Sequence, residues 1–271
     1  MAYTRGRKEY EGKTQIVWEV VEDPALVILE QKDVVTAHNI HSEEALHKGI
    51  FVATIAESCA RFLGIYNVPT AFLRRHDERS LVMFRCKMLD LEIVIRKRAF
   101  GQILKRMPVL TKGEKFEVPL TELYLKTTGG RWRDRKFPVE DPLLVLPEEG
   151  DATVHLPNAE LNGRSLDKIS FTAHERQAID EAVVLSQIAF SLLTDAWKGL
   201  GLDLVDAKME CGWTSHGTLM VADVIGPDSW RMLSRTGRHF DKQPYRDGGT
   251  KALPDMMRQY RALADLSQRL V

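Results

Sequence analysis

Two strand-like runs, LDLVDAKMEC and GTLMVADVI, flank the turn-forming WTSHG, and this stretch constrains the chain more than any other. Alternate residues of a strand share a face. Asp206, Lys208 and Glu210 therefore project together, opposite Val205, Ala207, Met209 and Cys211. One face is suited to a core, and the other carries charge. With His216-Gly217 at the turn centre, hairpin register places Glu210 opposite Asp223. Like charges directly opposed are destabilising unless something sits between them. A divalent cation suits that place, because Mg²⁺ favours one or two carboxylates plus phosphate oxygens. The alternative is a solvated strand face, where such charges cost nothing. The stretch continues through Asp228 and Arg231 to TGRHFDKQPYRDGG, adding Arg238, Lys242 and Arg246. Carboxylates mixed with such cations suit metal-bridged and directly held phosphates. Each basic residue taken alone reads equally as surface.

The rest of the chain predicts an α+β fold. TQIVWEVV and ALVILEQ are short β-branched runs separated by Glu22-Asp23-Pro24. Ser42, Glu43 and Glu44 open a helical pattern that reaches about Leu63 and stops at Gly64. SLVMFRCKM and LEIVIRKRAF return to strand character, and a Pro/Gly-punctuated middle with TELYLK follows. Thr172 with Glu175 forms a capping box for a helix over Ala173 to Lys198. A charged, glycine-rich loop and a helix from about Pro254 to Leu270 close the sequence. Short strands and a few long helices without regular alternation point to α+β rather than a doubly wound sheet.

Two further segments carry candidate chemistry. In EYEGKTQIVWEV, Gly12 permits close backbone approach and Lys13 offers a point charge to a polyphosphate. The arrangement is not that of a Walker A loop, and a plain hairpin turn is the competing reading. In LEIVIRKRAFGQILKR, Arg96 and Arg98 share one face of a strand, with Lys105 and Arg106 beyond Gly101. That segment reads as a phosphate-binding strand end or as a solvated edge.

Composition excludes several classes. The 271 residues hold 38 Lys plus Arg against 38 Asp plus Glu, a formal net charge of zero. Such balance argues against a dedicated nucleic-acid or membrane-surface binder. Cys59, Cys86 and Cys211 form neither a disulfide framework nor a C-x-x-C pair, and read as buried thiols in a reducing compartment. His38, His41 and His47 lack the thiolate or acid that would complete a zinc set. MAYTRGRKEYEGK has no apolar stretch, so a cytoplasmic protein is expected.

The three candidate segments occur in an order that resembles the SAICAR synthetase (phosphoribosylaminoimidazole-succinocarboxamide synthase) family. The likeness runs through YEGKTQIVWEV, KDVVTAHN, LEIVIRKRAFGQILKR, ELYLK, LVDAKMECG, VADVIGPDSWR and DKQPYRD, and is closest in the last third. The resemblance implies two α+β lobes with antiparallel sheets, over residues 1–88 and 89–271, and an ATP cleft between them. It implies a ligase in which ATP converts a nucleotide carboxylate to an acyl phosphate that an amino acid, aspartate in the family, attacks to form an amide. Gly12 and Lys13 would lie over the ATP phosphates, Glu210 and Asp223 would hold Mg²⁺, and Lys208, in the same nucleotide site, and Asp206 would be the catalytic residues. Arg96 and Arg231 would take the substrate phosphate, with Gln102 beside them. Asp228, Lys242 and Arg246 match the closing substrate-side segment. The reading leaves room for a homo-oligomer.

The chain departs from the family mainly on the substrate side. Gln15 stands where a second Lys is usual, and Thr36-Ala37-His38-Asn39 replaces a T-A-G-[ND] turn. Gln102 replaces a Ser. After ELYLK, a short acidic stretch gives way to TTGGRWRDRKFPVEDP, with Thr127 and Thr128 in place of acids or amides, Asp141-Pro142 as a displaced Asp-Pro, and Arg131, Arg133, Arg135 and Lys136 added. Added arginines would favour a more anionic partner, so a divergent ligase acting on an analogous heterocyclic carboxylate is expected alongside the standard one. A nucleotide-binding relative without turnover, and an RNA binder using RWRDRK with Trp132, are the competing classes.

Overall fold

The computed structural model describes residues 3–37, 41–159 and 165–271. The first lobe begins with β1 (Arg5–Glu11), β2 (Gln15–Val20) and β3 (Leu26–Gln31), then the hairpin β4 (Val34–Ala37) and β5 (His41–Glu44). Helix α1 (Lys48–Ile65), β6 (Phe72–Arg75) and β7 (Ser80–Phe84) complete an antiparallel five-stranded sheet of order β1-β2-β3-β7-β6. The helix does not open at Ser42: Glu43 and Glu44 pair in β5, and His47 turns the chain in a left-handed conformation before Lys48. Ladder bonds with β4 override the local helical pattern there.

The second lobe follows with β8 (Cys86–Met88), β9 (Leu91–Arg98), α2 (Ile103–Arg106) and β10 (Lys115–Leu125). A short hairpin, β11 (Arg131–Trp132) and β12 (Arg135–Lys136), precedes β13 (Leu143–Val145), β14 (Ala152–His155) and β15 (Asp167–Ile169). Helix α3 (Ala173–Gly199) leads to β16 (Leu202–Met209), β17 (Cys211–Thr214), β18 (Leu219–Val221) and β19 (Trp230–Ser234). Then come α4 (Gln243–Gly248), a 3₁₀ turn over Gly249–Ala252, and α5 (Leu253–Ser267). Seven strands pair antiparallel in the order β15-β14-β13-β10-β9-β16-β19, and β18-β17-β8 form a separate small sheet. The Thr172–Glu175 capping box is present in both directions.

Helix α1 is apolar on two faces because it is packed from two sides. Ile55, Cys59 and Leu63 enter the core shared with Leu193, Trp197, Leu204 and Trp230. Val52, Ala53 and Ala56 enter the core under the five-stranded sheet, with Leu81, Met83, Met256 and Tyr260. Full burial of each large apolar side chain contributes about 1.5–3 kcal/mol. The last two of those residues belong to α5, so the end of the chain packs back against α1. The division expected at 88/89 falls after β8, which pairs with β17 of the second lobe, and the α1–α5 packing likewise does not follow chain order. No helix among the described residues is long and apolar enough to cross a membrane.

Candidate active site

The strand run expected over Leu202–Cys211 is broken at Glu210, where the chain leaves the seven-stranded sheet for the small one. The hairpin is also shifted by one residue from the expected register. Thr214 pairs with Thr218 around three turn residues, Cys211 faces Val221, and the Glu210 carbonyl accepts from the Ala222 N–H. A three-residue turn in place of a two-residue one moves Asp223 off the position opposite Glu210. The two carboxylates still converge, because the break at Glu210 turns its side chain toward Lys208. Lys208 Nζ donates to Glu210 and lies 3.5 Å from Asp223 Oδ2 and 3.2 Å from Glu92 Oε1. Lys126 Nζ, at the end of β10, reaches Glu92 at 2.6 Å and Glu210 at 2.9 Å.

This cluster holds three carboxylates and two ammonium groups, one negative charge in excess. Burial works against ionisation of Glu210, but Lys208 and Lys126 hold it down to about 2. Burial and then the Glu210 charge push Asp223 up. Against burial, the three carboxylates keep Lys208 protonated to well above its ordinary range. The surplus negative charge and hard oxygen donors of this half-buried group are the chemistry that a divalent cation takes. Gln15 Nε2 approaches Asp223 Oδ1 at 3.4 Å, so this departure from the family pattern touches the same carboxylate.

Lys126, Lys208, Glu210 and Asp223 of this cluster line a cleft of about 620 Å³ between the lobes. Gly12, Lys13 and Gln15 come from the β1–β2 turn, which is closed by the Gly12 N–H donating to the Gln15 carbonyl at 2.8 Å. Lys13 Nζ lies 3.8 Å from Glu140. Val17, Val27, Leu29 and Met83 give the cleft an apolar wall suited to a planar base. Asp228 and Lys242 line its other end. Lys48, 1% exposed, donates to Asp228 Oδ2, and the Tyr260 hydroxyl donates to Oδ1 at 3.0 Å. Burial opposes ionisation of Asp228, yet Lys48 and Lys242 hold it down to about 2. Burial, with Arg246, Lys48 and Lys208 nearby, lowers Lys242. The α4 helix that carries Arg246 was expected as loop. Pro244 in its first turn, with a fixed helical φ and no N–H to lose, suits its start.

Asp206 does not share this cleft, which corrects its expected place beside Lys208. It is 3% exposed and accepts from Arg96 Nη1 at 2.9 Å and from Arg231 Nη1 at 2.7 Å. The reason is register: Asp206 lies between Arg96 on β9 and Arg231 on β19. The Arg96 guanidinium is itself buried, and its Nε donates to Glu122 at 2.6 Å. Glu122 also pairs with the buried Arg106. Three guanidinium groups face two carboxylates here, leaving one positive charge in excess, and Arg231 is the more exposed of the pair on Asp206. Gly101 (φ 70°) permits this packing, since a Cβ there would lie 2.6 Å from Arg231 Nη2. Gln102 follows it, exposed at the start of α2.

Comparison with known proteins gives the family. The SAICAR synthetase family model matches residues 8–147 and 158–263. The chain belongs to the SAICAR synthetase family. It is 31% identical over 265 residues to the phosphoribosylaminoimidazole-succinocarboxamide synthase of Chloroflexus aggregans, covering 96% of this chain and 94% of that one. The Chloroflexus aurantiacus enzyme of the same name is 32% identical, covering 96% and 95%. In fold, the chain matches the crystal structure of the Ehrlichia chaffeensis synthase with a TM-score of 0.74 at 23% identity, covering 98% of this chain and 99% of that one. A SAICAR synthetase in complex with ADP matches with a TM-score of 0.70 at 23% identity, covering 93% and 97%.

Glu92, Lys126, Lys48, Tyr260 and Glu122 escaped assignment from sequence, whereas Arg106 was among the candidate phosphate-binding residues. Glu92 shares a strand face with Arg96, and Lys126, one residue past β10, continues the alternation of Glu122, which could have flagged both. A lysine opening the apolar helix α1 and a tyrosine 32 residues beyond Asp228 carry no such signal. The expected anion-facing role of the added basic loop meets a different arrangement. Arg133 lies 4.2 Å over the Trp132 ring and pairs with Glu175 at 2.7 Å, and Arg135 pairs with Asp167 at 2.5 Å. Those two cations fasten β11–β12 to the lobe. Thr127, Thr128, Gly129 and Asp141 of the same insertion do line the cleft. His38 and Asn39 of the substrate-side turn lie outside the described residues.

Proposed function

We propose that the chain is an ATP-dependent amide-forming ligase that joins a carboxyaminoimidazole ribonucleotide to L-aspartate, as the names of its relatives describe for them. The observation that carries the reading is the convergence of the Gly12–Gln15 turn, Lys208, Glu210 and Asp223 on one cleft with an apolar wall at its side. ATP would lie with its base against Val17, Val27 and Met83 and its phosphates toward Lys13 and Lys208. A bound Mg²⁺ at Glu210 and Asp223 would neutralise charge on the transferring phosphoryl group. Lys208, kept protonated by its carboxylates, supplies a fixed positive charge to the same group. The substrate carboxylate oxygen attacks the γ-phosphorus and ADP leaves, giving an acyl phosphate. The amine nitrogen then attacks the acyl carbon, the C–N bond forms, and inorganic phosphate leaves.

The guanidinium excess around Arg96, Arg106 and Arg231 supports a ribonucleotide phosphate held at Arg231 beside Gln102, with Arg96 bracing it through Asp206. Asp228, Lys242 and Arg246 suit the polar groups of the two substrates. Asp141 offers an acceptor for the proton that the attacking amine must lose. Its Oδ1 accepts from the Thr127 N–H at 2.9 Å and hydroxyl at 3.2 Å, and burial together with Glu92 raises it. Such a reaction belongs in the cytoplasm.

The test is to supply purified protein with ATP, Mg²⁺, aspartate and the imidazole ribonucleotide. ADP, phosphate and amide should form in equal amounts. Thr127, Thr128 and Gly129 on the cleft wall favour a second reading, a divergent substrate. Turnover only with another heterocyclic carboxylate would select that reading. No ADP with any carboxylate–amine pair would leave a nucleotide-binding relative and refute both.

A further inference from the structure

A second depression, of about 780 Å³, opens at the other end of the seven-stranded sheet. It lies where β9 ends and where β16 begins, between the last turn of α3 and the turn after β19. Asp203 at its base is seven residues from Glu210 along the chain, roughly 23 Å at strand rise, so the depression is separate from the ligase cleft.

Its charge is one-sided in a chain with no net charge. Lys97, Arg98, Lys115, Lys198 and Arg235 line it, against Asp195 and Asp203. Asp203 is already engaged, accepting from Lys97 at 2.6 Å and Arg98 at 3.0 Å. Among the described residues, Lys115, Lys198 and Arg235 have no ion-pair partner. Lys115 is also the direct cross-strand neighbour of Arg98. Like charges in that relation repel, a cost that an anion between them removes. Thr194 lines the α3 wall as well. Several cations around one depression, three of them without an ion-pair partner, are the chemistry of a phosphate site.

We propose that this groove binds a phosphate-bearing small molecule, a monoester or an oligophosphate, at a site separate from the catalytic cleft. Lys97 follows Arg96 directly in β9, so a ligand here would rest on the strand that braces the substrate side. The proposal does not depend on the ligase reading, because the groove contains none of the cleft residues.

The experiment compares the full chain with a Lys115→Glu, Arg235→Glu double variant. Both substituted positions are exposed, and the cleft is left intact. Pyrophosphate is titrated into each by calorimetry at physiological salt, and thermal unfolding is followed in parallel. The groove predicts a binding component in the unmodified chain that weakens at least about tenfold in the variant, with an unchanged unfolding temperature. Repeating the titration with orthophosphate and with ADP tells a bare-phosphate ligand from a nucleotide. Superimposable isotherms for the two proteins, or no pyrophosphate binding outside the cleft, would overturn the proposal.

Discussion

Asp206→Asn tests the arginine clasp behind the cleft. The substitution keeps shape and one acceptor oxygen but removes the charge that neutralises two guanidinium groups at 2.9 and 2.7 Å. Breaking a buried ion pair by removing one partner costs about 3–5 kcal/mol. Here Arg96 retains Glu122 at 2.6 Å and Arg231 is partly open to water, so the low end applies, about 3 kcal/mol. For a chain of this size, each kcal/mol lowers the melting temperature by roughly 2–4 °C, which gives a fall of about 6–12 °C. The deficit is one of negative charge, so an anion should replace it. Inorganic phosphate, or the ribonucleotide, should raise the variant's melting temperature more than that of the unmodified chain. Calorimetric scans of both proteins, with and without phosphate, measure the two quantities. A loss below 3 °C, or equal phosphate stabilisation of both proteins, would refute the clasp as the origin of Asp206's place in the structure.

Asp223→Asn should lower ADP formation by at least roughly a hundredfold, since several kcal/mol of charge stabilisation goes with the cation. Its melting temperature should stay close to that of the unmodified chain, because the substitution removes the surplus negative charge that Glu210 opposes in the folded cluster. Tyr260→Phe removes a 3.0 Å bond to a buried carboxylate and should cost about 1.5–3 kcal/mol in urea denaturation. Gly101→Ala should displace Arg231 and raise KM for the ribonucleotide with a smaller effect on kcat in steady-state assays. Glu210 and Asp228 are both lowered to about 2 on folding, from ordinary values of 4.5 and 3.8. The unfolded chain therefore binds more protons as pH falls through that window. Their contribution is complete above about pH 4.5 and is lost toward pH 2, so urea midpoints should fall across that range and fall less in Glu210→Gln.

The residue pattern alone carried much of the active site. Alternation along LVDAKMEC put Lys208 and Glu210 on one face, and the capping box marked the start of α3. The same alternation wrongly grouped Asp206 with them, because it says which face a side chain takes and not what covers that face further along. The one-residue shift of the hairpin was also out of reach, since two- and three-residue turns around Ser215-His216-Gly217 are both compatible with the local sequence. Glu43 and Glu44 looked helical because the pairing that makes them a strand comes from β4.

By itself the sequence determined the family, the α+β class, and the residue types that ATP-dependent ligation needs. Those are properties of local spacing and of side-chain chemistry. The tertiary structure decided which charges meet. It set Lys208 and Lys126 among three carboxylates, placed Lys48 and Tyr260 on Asp228, and locked Asp206 between two arginines. It paired Arg133 and Arg135 with Glu175 and Asp167 across the lobe surface, and left Lys115 and Arg235 facing an open groove. The sequence total of zero contains all of these arrangements. Coulomb energy depends on separation and burial, which chain order does not specify and packing does.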